Sequence, residues 1–177
     1  IGSAAETEAL AKSIPDTGGV YIVPAFTGLG APWWEPDARG AIFGLTRGTG
    51  RAQIARAALE ALAYQVSDLA TAMADDAGGA LGVLNVDGGA SANNFLMQFQ
   101  SDILGSRVVR PQCIETTALG ACYLAGLATG VWSSRDELKE LWRCDTLYAP
   151  SMEGEKRSRL LNGWDKAVGR SLDWAEH

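Results

Sequence analysis

The longest stretch of patterned apolar positions lies between Arg51 and Ala77, where Ile54, Ala58, Leu62, Val66, Leu69 and Met73 recur every three or four residues. That spacing puts them on one face of an α-helix and predicts one long helix with this stripe against the core. Ala57, Ala61, Ala63 and Ala70 surround the stripe, so the helix should be covered nearly all round. Gly78-Gly79 stops it, because glycine takes the left-handed conformation that closes a helix. Glu60 and Gln65 are polar positions on it and read as structural hydrogen-bonders.

A second pattern follows at once. Val83-Leu84-Asn85-Val86 reads as a strand and runs into Asp87-Gly88-Gly89. A helical period then sets in, with Phe95, Leu96, Phe99 and Ile103 on one face, and it ends at Gly105. Shorter β-type runs occur at Val20–Val23, at Ala41–Leu45 and at Arg107–Arg110, the last cut by Pro111. Ile1–Lys12 is weakly helical. A helix capped by Thr116 or Thr117 runs to Gly130; its small residues (Ala118, Gly120, Ala121, Ala125, Gly126) allow a neighbour to approach closely. Ser134–Leu141 is a short capped helix, and Tyr148–Pro150 is a loop. Glu153–Trp174 is a last helix with Leu161, Trp164, Val168 and Leu172 inward, while Glu155, Lys156, Arg157, Arg159, Lys166 and Arg170 form a solvated face. Strands alternating with helices, undivided by a linker, predict one α/β domain.

Ala25–Gly40 is a long stretch without regular structure, and such stretches are functional or disordered. Adjacent Trp33 and Trp34 argue against disorder and predict that the loop is anchored on the core. Arg39 suits a structural salt bridge, with a bound carboxylate or phosphate as the other use.

Composition narrows the function. The 177 residues, 47% hydrophobic and 20% charged, read as an ordinary globular domain. A net charge of -6 excludes a nucleic-acid surface, which needs cations to neutralise phosphates. No apolar run is long enough to cross a bilayer and no signal peptide is visible, so the expected location is the cytoplasm. Cys113, Cys122 and Cys144 are odd in number and widely spaced, as free thiols are; Cys122, on a helical stretch, should pack as a small hydrophobe. The single histidine, His177, is terminal, which leaves no Ser-His or Cys-His pair. The opening at Ile1 suggests a piece of a longer protein.

Two familiar phosphate motifs are missing: there is no G-x-x-x-x-G-K-[ST] loop and no G-x-G-x-x-G after a strand. What remains is the turn at Gly88-Gly89, followed by Asn93 and Asn94 in the first helical turn. Two glycines let a ligand approach the backbone, and a helix N-terminus suits a phosphate or a polar ring. Asparagine both donates and accepts, as a base or ribose requires. The same residues also suit a tight βα turn with helix capping and no ligand.

Several stretches carry a resemblance. Gly40-Ala41-Ile42-Phe43-Gly44-Leu45, then seven residues, then Gln53-Ile54-Ala55-Arg56-Ala57-Ala58-Leu59-Glu60, resembles the second signature of the FGGY carbohydrate kinases. Phe26–Trp34 with Ala38-Arg39-Gly40, Asp87–Asp102 and Thr117–Gly126 resemble the family in the same order. The resemblance implies an α/β, ribonuclease H-like domain, similar to actin, Hsp70 and hexokinase, with a mixed sheet and flanking helices. It implies the C-terminal, nucleotide-side domain only, taking ATP or ADP with Mg²⁺. Gly89 and Asn93 then match positions on the adenosine, which the Gly88-Gly89 turn would hold, and Ala4 matches a further adenine-side contact. The catalytic base, acceptor contacts and phosphate loop belong to an N-terminal domain outside this chain, so the piece alone is expected to be inactive. The wording of the 25–40 loop favours glycerol as acceptor over xylulose or gluconate, and a homo-oligomer is expected at full length. An actin-like ATP-switch module without enzymatic activity is the other reading.

Overall fold

The computed structural model describes residues 1–176; His177 lies outside them. Helix α1 (Glu6–Lys12) precedes an antiparallel ribbon of β1 (Tyr21–Val23) and β2 (Ala41–Phe43), in register Tyr21↔Phe43. Helix α2 (Arg51–Ala77) follows, closed by Gly78 in the left-handed conformation. Strand β3 (Val83–Asn85) leads through a short 3₁₀ turn (Gly89–Ala92) into α3 (Asn94–Leu104) and back to β4 (Arg107–Pro111). β4 runs parallel to β3, the βαβ arrangement that places a helix on one face of the sheet. Then come α4 (Thr116–Thr129), α5 (Arg135–Leu141), β5 (Cys144–Tyr148) and α6 (Gly154–Gly169). β5 pairs antiparallel with β4, so the three-stranded sheet is mixed, in the order β3-β4-β5.

The core centres on Trp164 of α6, Tyr64 of α2 and Phe99 of α3. The Tyr64 ring stacks on Trp164 at 5.2 Å and meets Phe99 edge-on at 5.6 Å. Ile103, Val108 and Val168 close the space around them. The Asp68 carboxylate accepts from the indole N–H of Trp33 at 3.0 Å and from that of Trp164 at 2.8 Å. One acidic side chain thereby fastens the 25–40 loop to α2 and α6. Burial pushes the Asp68 carboxyl above its usual range, although the two indole donors pull the other way. Trp33 thus anchors the loop as predicted, whereas Trp34 is 75% exposed and does not. Arg39 donates to the main-chain carbonyls of Pro36 and Ala38.

The bounds of α2 match the sequence pattern; its inward face does not. Ala57, Ala61 and Tyr64 are buried, together with Glu60, whereas Leu62, Leu69 and Met73 are 42%, 45% and 61% exposed. Both stripes repeat with helical spacing, so periodicity alone cannot choose between them. The choice falls to packing: the alanines let α1, α3 and β1 come close to the helix, Leu59 and Tyr64 fill the core beside them, and Leu62, Leu69 and Met73 stay outside.

Other elements also depart from expectation. β5 was not anticipated, because Cys144-Asp145-Thr146-Leu147-Tyr148 lacks a clear alternation and is exposed along most of its length. It is held through the ladder and the Arg110–Asp145 ion pair at 2.7 Å. Helix α4 is preceded by Glu115 and has no side-chain cap; the Thr116 hydroxyl donates to Asp87 instead. Cys122 is exposed, as are Cys113 and Cys144. On α4 only Gly126 is buried, and the Trp132 ring lies where a side chain at Gly126 would stand. Helix α6 ends at Gly169, short of Trp174, and its Arg157 is turned inward to donate to the carbonyls of Ile103 and Leu104.

Candidate nucleotide cleft

The turn after β3 is built on Gly88, whose φ of 75° and ψ of 172° are open to glycine and costly for other residues. Its N–H donates to the Ile114 carbonyl at 2.7 Å, and its carbonyl accepts from the Ser91 N–H and hydroxyl. Gly88 therefore fixes the path of the chain. Gly89 differs: its φ is ordinary, and a Cβ added there would meet nothing within 4 Å. The space beside it is open.

Asn93 caps α3. Its side-chain oxygen accepts from the Leu96 N–H at 3.0 Å, and its Nδ2 lies 3.5 Å from the Thr7 hydroxyl oxygen. The other polar groups of this helix start are occupied. Glu8 accepts from the Asn94 N–H and from Asn94 Nδ2, while Asn94 Oδ1 accepts from Arg110 and from the Tyr148 hydroxyl. Burial pulls the Glu8 carboxyl upward, but the bonds from Lys12 and Asn94 outweigh it and hold it below its usual range. A carboxylate thus already sits at the positive end of α3. The helix start is poorly placed for phosphate, and Asn94 is structural. The feature suited to a ligand is the amide edge of Asn93 beside Gly89.

These residues border a cleft of about 490 Å³ whose walls include Ala4, Thr7, Glu8, Gly89, Asn93 and Leu96. Ala4, Gly89 and Asn93, singled out from sequence, are brought together there, although about half of the described chain separates Ala4 from the other two. Gly88 is not on the wall and acts by shaping the turn. Apolar sides from Leu59, Leu62 and Leu96 with a few polar groups at one edge can take a flat ring and orient it by hydrogen bonds. Thr7 and Glu8 were not anticipated; the i,i+4 pairing of Glu8 with Lys12 reads from sequence as ordinary helix support. A larger groove of about 720 Å³, bordered by Leu119, Tyr123, Leu138 and Trp142, lies along α4 and α5. Among the described residues no group of three or more His, Cys, Asp or Glu side chains is placed to hold a metal ion, and no helix is long and apolar enough to cross a membrane.

The fold is of the actin, hexokinase and Hsp70 kind, a mixed sheet with flanking helices. Residues 2–129 match the C-terminal domain of the FGGY family of carbohydrate kinases, and the chain belongs to that family. It is 61% identical over 175 residues to a glycerol kinase of Dechloromonas aromatica (strain RCB), covering 99% of this chain and 35% of that protein. A glycerol kinase of Caldanaerobacter subterraneus subsp. tengcongensis is 59% identical over 176 residues, with the same shares covered. Among solved structures, Plasmodium falciparum glycerol kinase with ADP superposes with a TM-score of 0.86 at 40% identity, over 97% of this chain and 34% of that one. The xylulose kinase of Rhodospirillum rubrum gives 0.74 at 26% identity, over 94% and 33%. The chain thus spans about 35% of the length of the curated relatives it matches.

Proposed function

We propose that this chain is the nucleotide-side part of a longer ATP-dependent kinase that transfers the γ-phosphate of ATP to glycerol, giving sn-glycerol 3-phosphate and ADP. The observation that carries this reading is the single cleft that joins Ala4, Gly89 and Asn93 across α1, the glycine turn and the α3 cap. In it the adenine ring lies between the apolar walls of Leu59 and Leu96, and the open side of Gly89 lets the nucleoside reach the backbone. Asn93 presents Nδ2 as donor while its oxygen stays on the helix.

Phosphoryl transfer is chiefly positioning and charge stabilisation: an acceptor hydroxyl attacks phosphorus in line as ADP leaves. This chain's share is to fix the nucleoside end. The acceptor site, the carboxylate that takes the hydroxyl proton and the grip on the phosphates belong to the remainder of the protein. Mg²⁺, where it takes part, would bridge the nucleotide phosphates and lower the charge that the acceptor meets. The chain alone then turns over no glycerol, and closure of the two parts excludes water from the reacting phosphate. Glycerol is preferred to xylulose because the glycerol kinase neighbour is closer in both sequence and superposition. Three exposed free cysteines suit the reducing cytoplasm, where we place the protein.

Asn93→Ala tests the reading. In the full-length protein it should weaken ADP binding about tenfold by calorimetry, the size of one well-placed hydrogen bond. Unchanged ADP affinity would leave Asn93 as a helix cap only and would remove the reading of this cleft as the adenosine site.

A further inference from the structure

Helix α1 supplies one wall of the cleft, yet it has seven residues and buries only Ala11. A helix so short does not hold itself. Besides the 3.5 Å approach of Asn93 Nδ2 to the Thr7 hydroxyl, two sets of bonds fix its position from outside. Near its N-terminal half, Glu8 accepts two bonds from Asn94 of α3. At its C-terminal end the fixing group is Arg56 of α2, which is not among the side chains that line the cleft. Arg56 Nη1 donates to the carbonyl of Ala11 in the last turn of α1, at 3.2 Å, and to that of Ile14 just beyond the helix, at 2.6 Å. Its Nε donates to Glu60 at 2.7 Å, and its guanidinium lies 4.8 Å from the centre of the Phe95 ring on α3. The side chains of Arg56 and Glu60 are 12% and 4% exposed, so this is an enclosed joint.

We propose that Arg56 is a positioning residue for the nucleotide: it locks α1 against α2 and α3, and so sets the width of the cleft between Ala4–Glu8 and Gly89–Leu96. The inference rests on reading that cleft as the adenosine site. Three tasks fall on one side chain: bonding the Ala11 and Ile14 carbonyls, pairing with Glu60 and stacking on Phe95. Only a planar, multiply donating cation does all three. Lysine offers a point charge and can serve the carbonyls or Glu60, with no stacking. Without Arg56 the C-terminal end of α1 loses its hydrogen bonds to α2, and the polar ties left on the wall, Glu8–Asn94 and Thr7–Asn93, both sit at its N-terminal half. The consequence falls on nucleotide affinity and leaves the acceptor site and the chemical step alone, because the Arg56 guanidinium is engaged within this chain by Ala11, Ile14, Glu60 and Phe95.

The test uses the full-length protein with Arg56→Ala and Arg56→Lys, reading KM for ATP, KM for glycerol, kcat and the calorimetric Kd for ADP. Arg56→Ala should raise the ATP KM and ADP Kd about tenfold, as expected for lost bonds to a charged donor, with kcat and the glycerol KM within about twofold of wild type. Arg56→Lys should fall between the two. If Arg56→Ala does not fold, Arg56→Lys carries the test, with the same split between ATP and glycerol. A folded variant with a lowered melting temperature and unchanged ATP KM would overturn the proposal, as would a fall in kcat at unchanged KM. Wild type and Asn93→Ala run alongside: equal ADP affinity in those two removes the cleft reading itself, whereas weakened Asn93→Ala with unaltered Arg56 variants removes only the positioning role.

Discussion

Two adjacent glycines do different work, and substitution separates them. Gly88 sits at positive φ with an extended ψ, so Gly88→Ala strains the turn and should cost about 1–2 kcal/mol of stability. Gly89 has ordinary φ and free space, so Gly89→Ala should fold as well as wild type while its methyl group intrudes beside the nucleoside and raises the ADP Kd. Urea unfolding and calorimetry on the two full-length variants check this; equal effects of both changes on both readouts would contradict it. Glu60 makes a second residue-scale prediction. Burial pushes its carboxyl above the ordinary glutamate value, with Arg56 pulling the other way. Between the ordinary value and the raised one the folded protein binds more protons than the unfolded chain, so the contribution of Glu60 is full at lower pH and is lost as pH rises through the raised value. The urea midpoint of wild type relative to Glu60→Gln should therefore fall as pH rises from the ordinary glutamate value through the raised one. A difference independent of pH would show that Glu60 has no raised pKa.

At the scale of elements, what could be read from the chain is what depends on neighbours in sequence. The limits of α2, the glycine stops at Gly78, Gly105 and Gly130, the Ser134 cap and the strand-turn-helix at Val83–Leu96 are local signals, and the structure has them in place. What could not be read depends on distant partners. The inward phase of α2 is chosen by α1, α3 and β1, and β5 exists because β4 offers it an edge. Half of the candidate cleft behaves the same way: Gly89 and Asn93 are legible as a turn and a cap, but Thr7 and Glu8 reach the site only because α1 folds back across the start of α3. The misread stripe has a use. Leu62, Val66, Leu69 and Met73 leave an apolar band on the surface of α2. Burying one such side chain is worth roughly 1.5–3 kcal/mol, so the band favours a covering partner. Leu69→Ser with Met73→Ser should reduce self-association of the isolated chain in analytical ultracentrifugation. An unchanged sedimentation profile from a self-associating parent would mean that association uses another face.

At the scale of the molecule, the chain accounts for about 35% of the length of its relatives, and its surface fits that share. β3 is an edge strand, paired on one side with β4, and the apolar band of α2 lies near it: Leu62, Val66 and Leu69 line a common hollow with Leu84 and Val86. The candidate cleft is lined by α1, α2, the glycine turn and α3, all of this chain, so on the proposed reading the adenosine end is built without the rest of the protein. The most direct measurement is a crystal structure of the full-length protein with ADP. The adenosine should lie between Ala4–Glu8 and Gly89–Leu96, with Asn93 Nδ2 within hydrogen-bonding distance of the nucleoside. Adenosine bound elsewhere, in the groove between α4 and α5 or outside this chain altogether, would contradict the account.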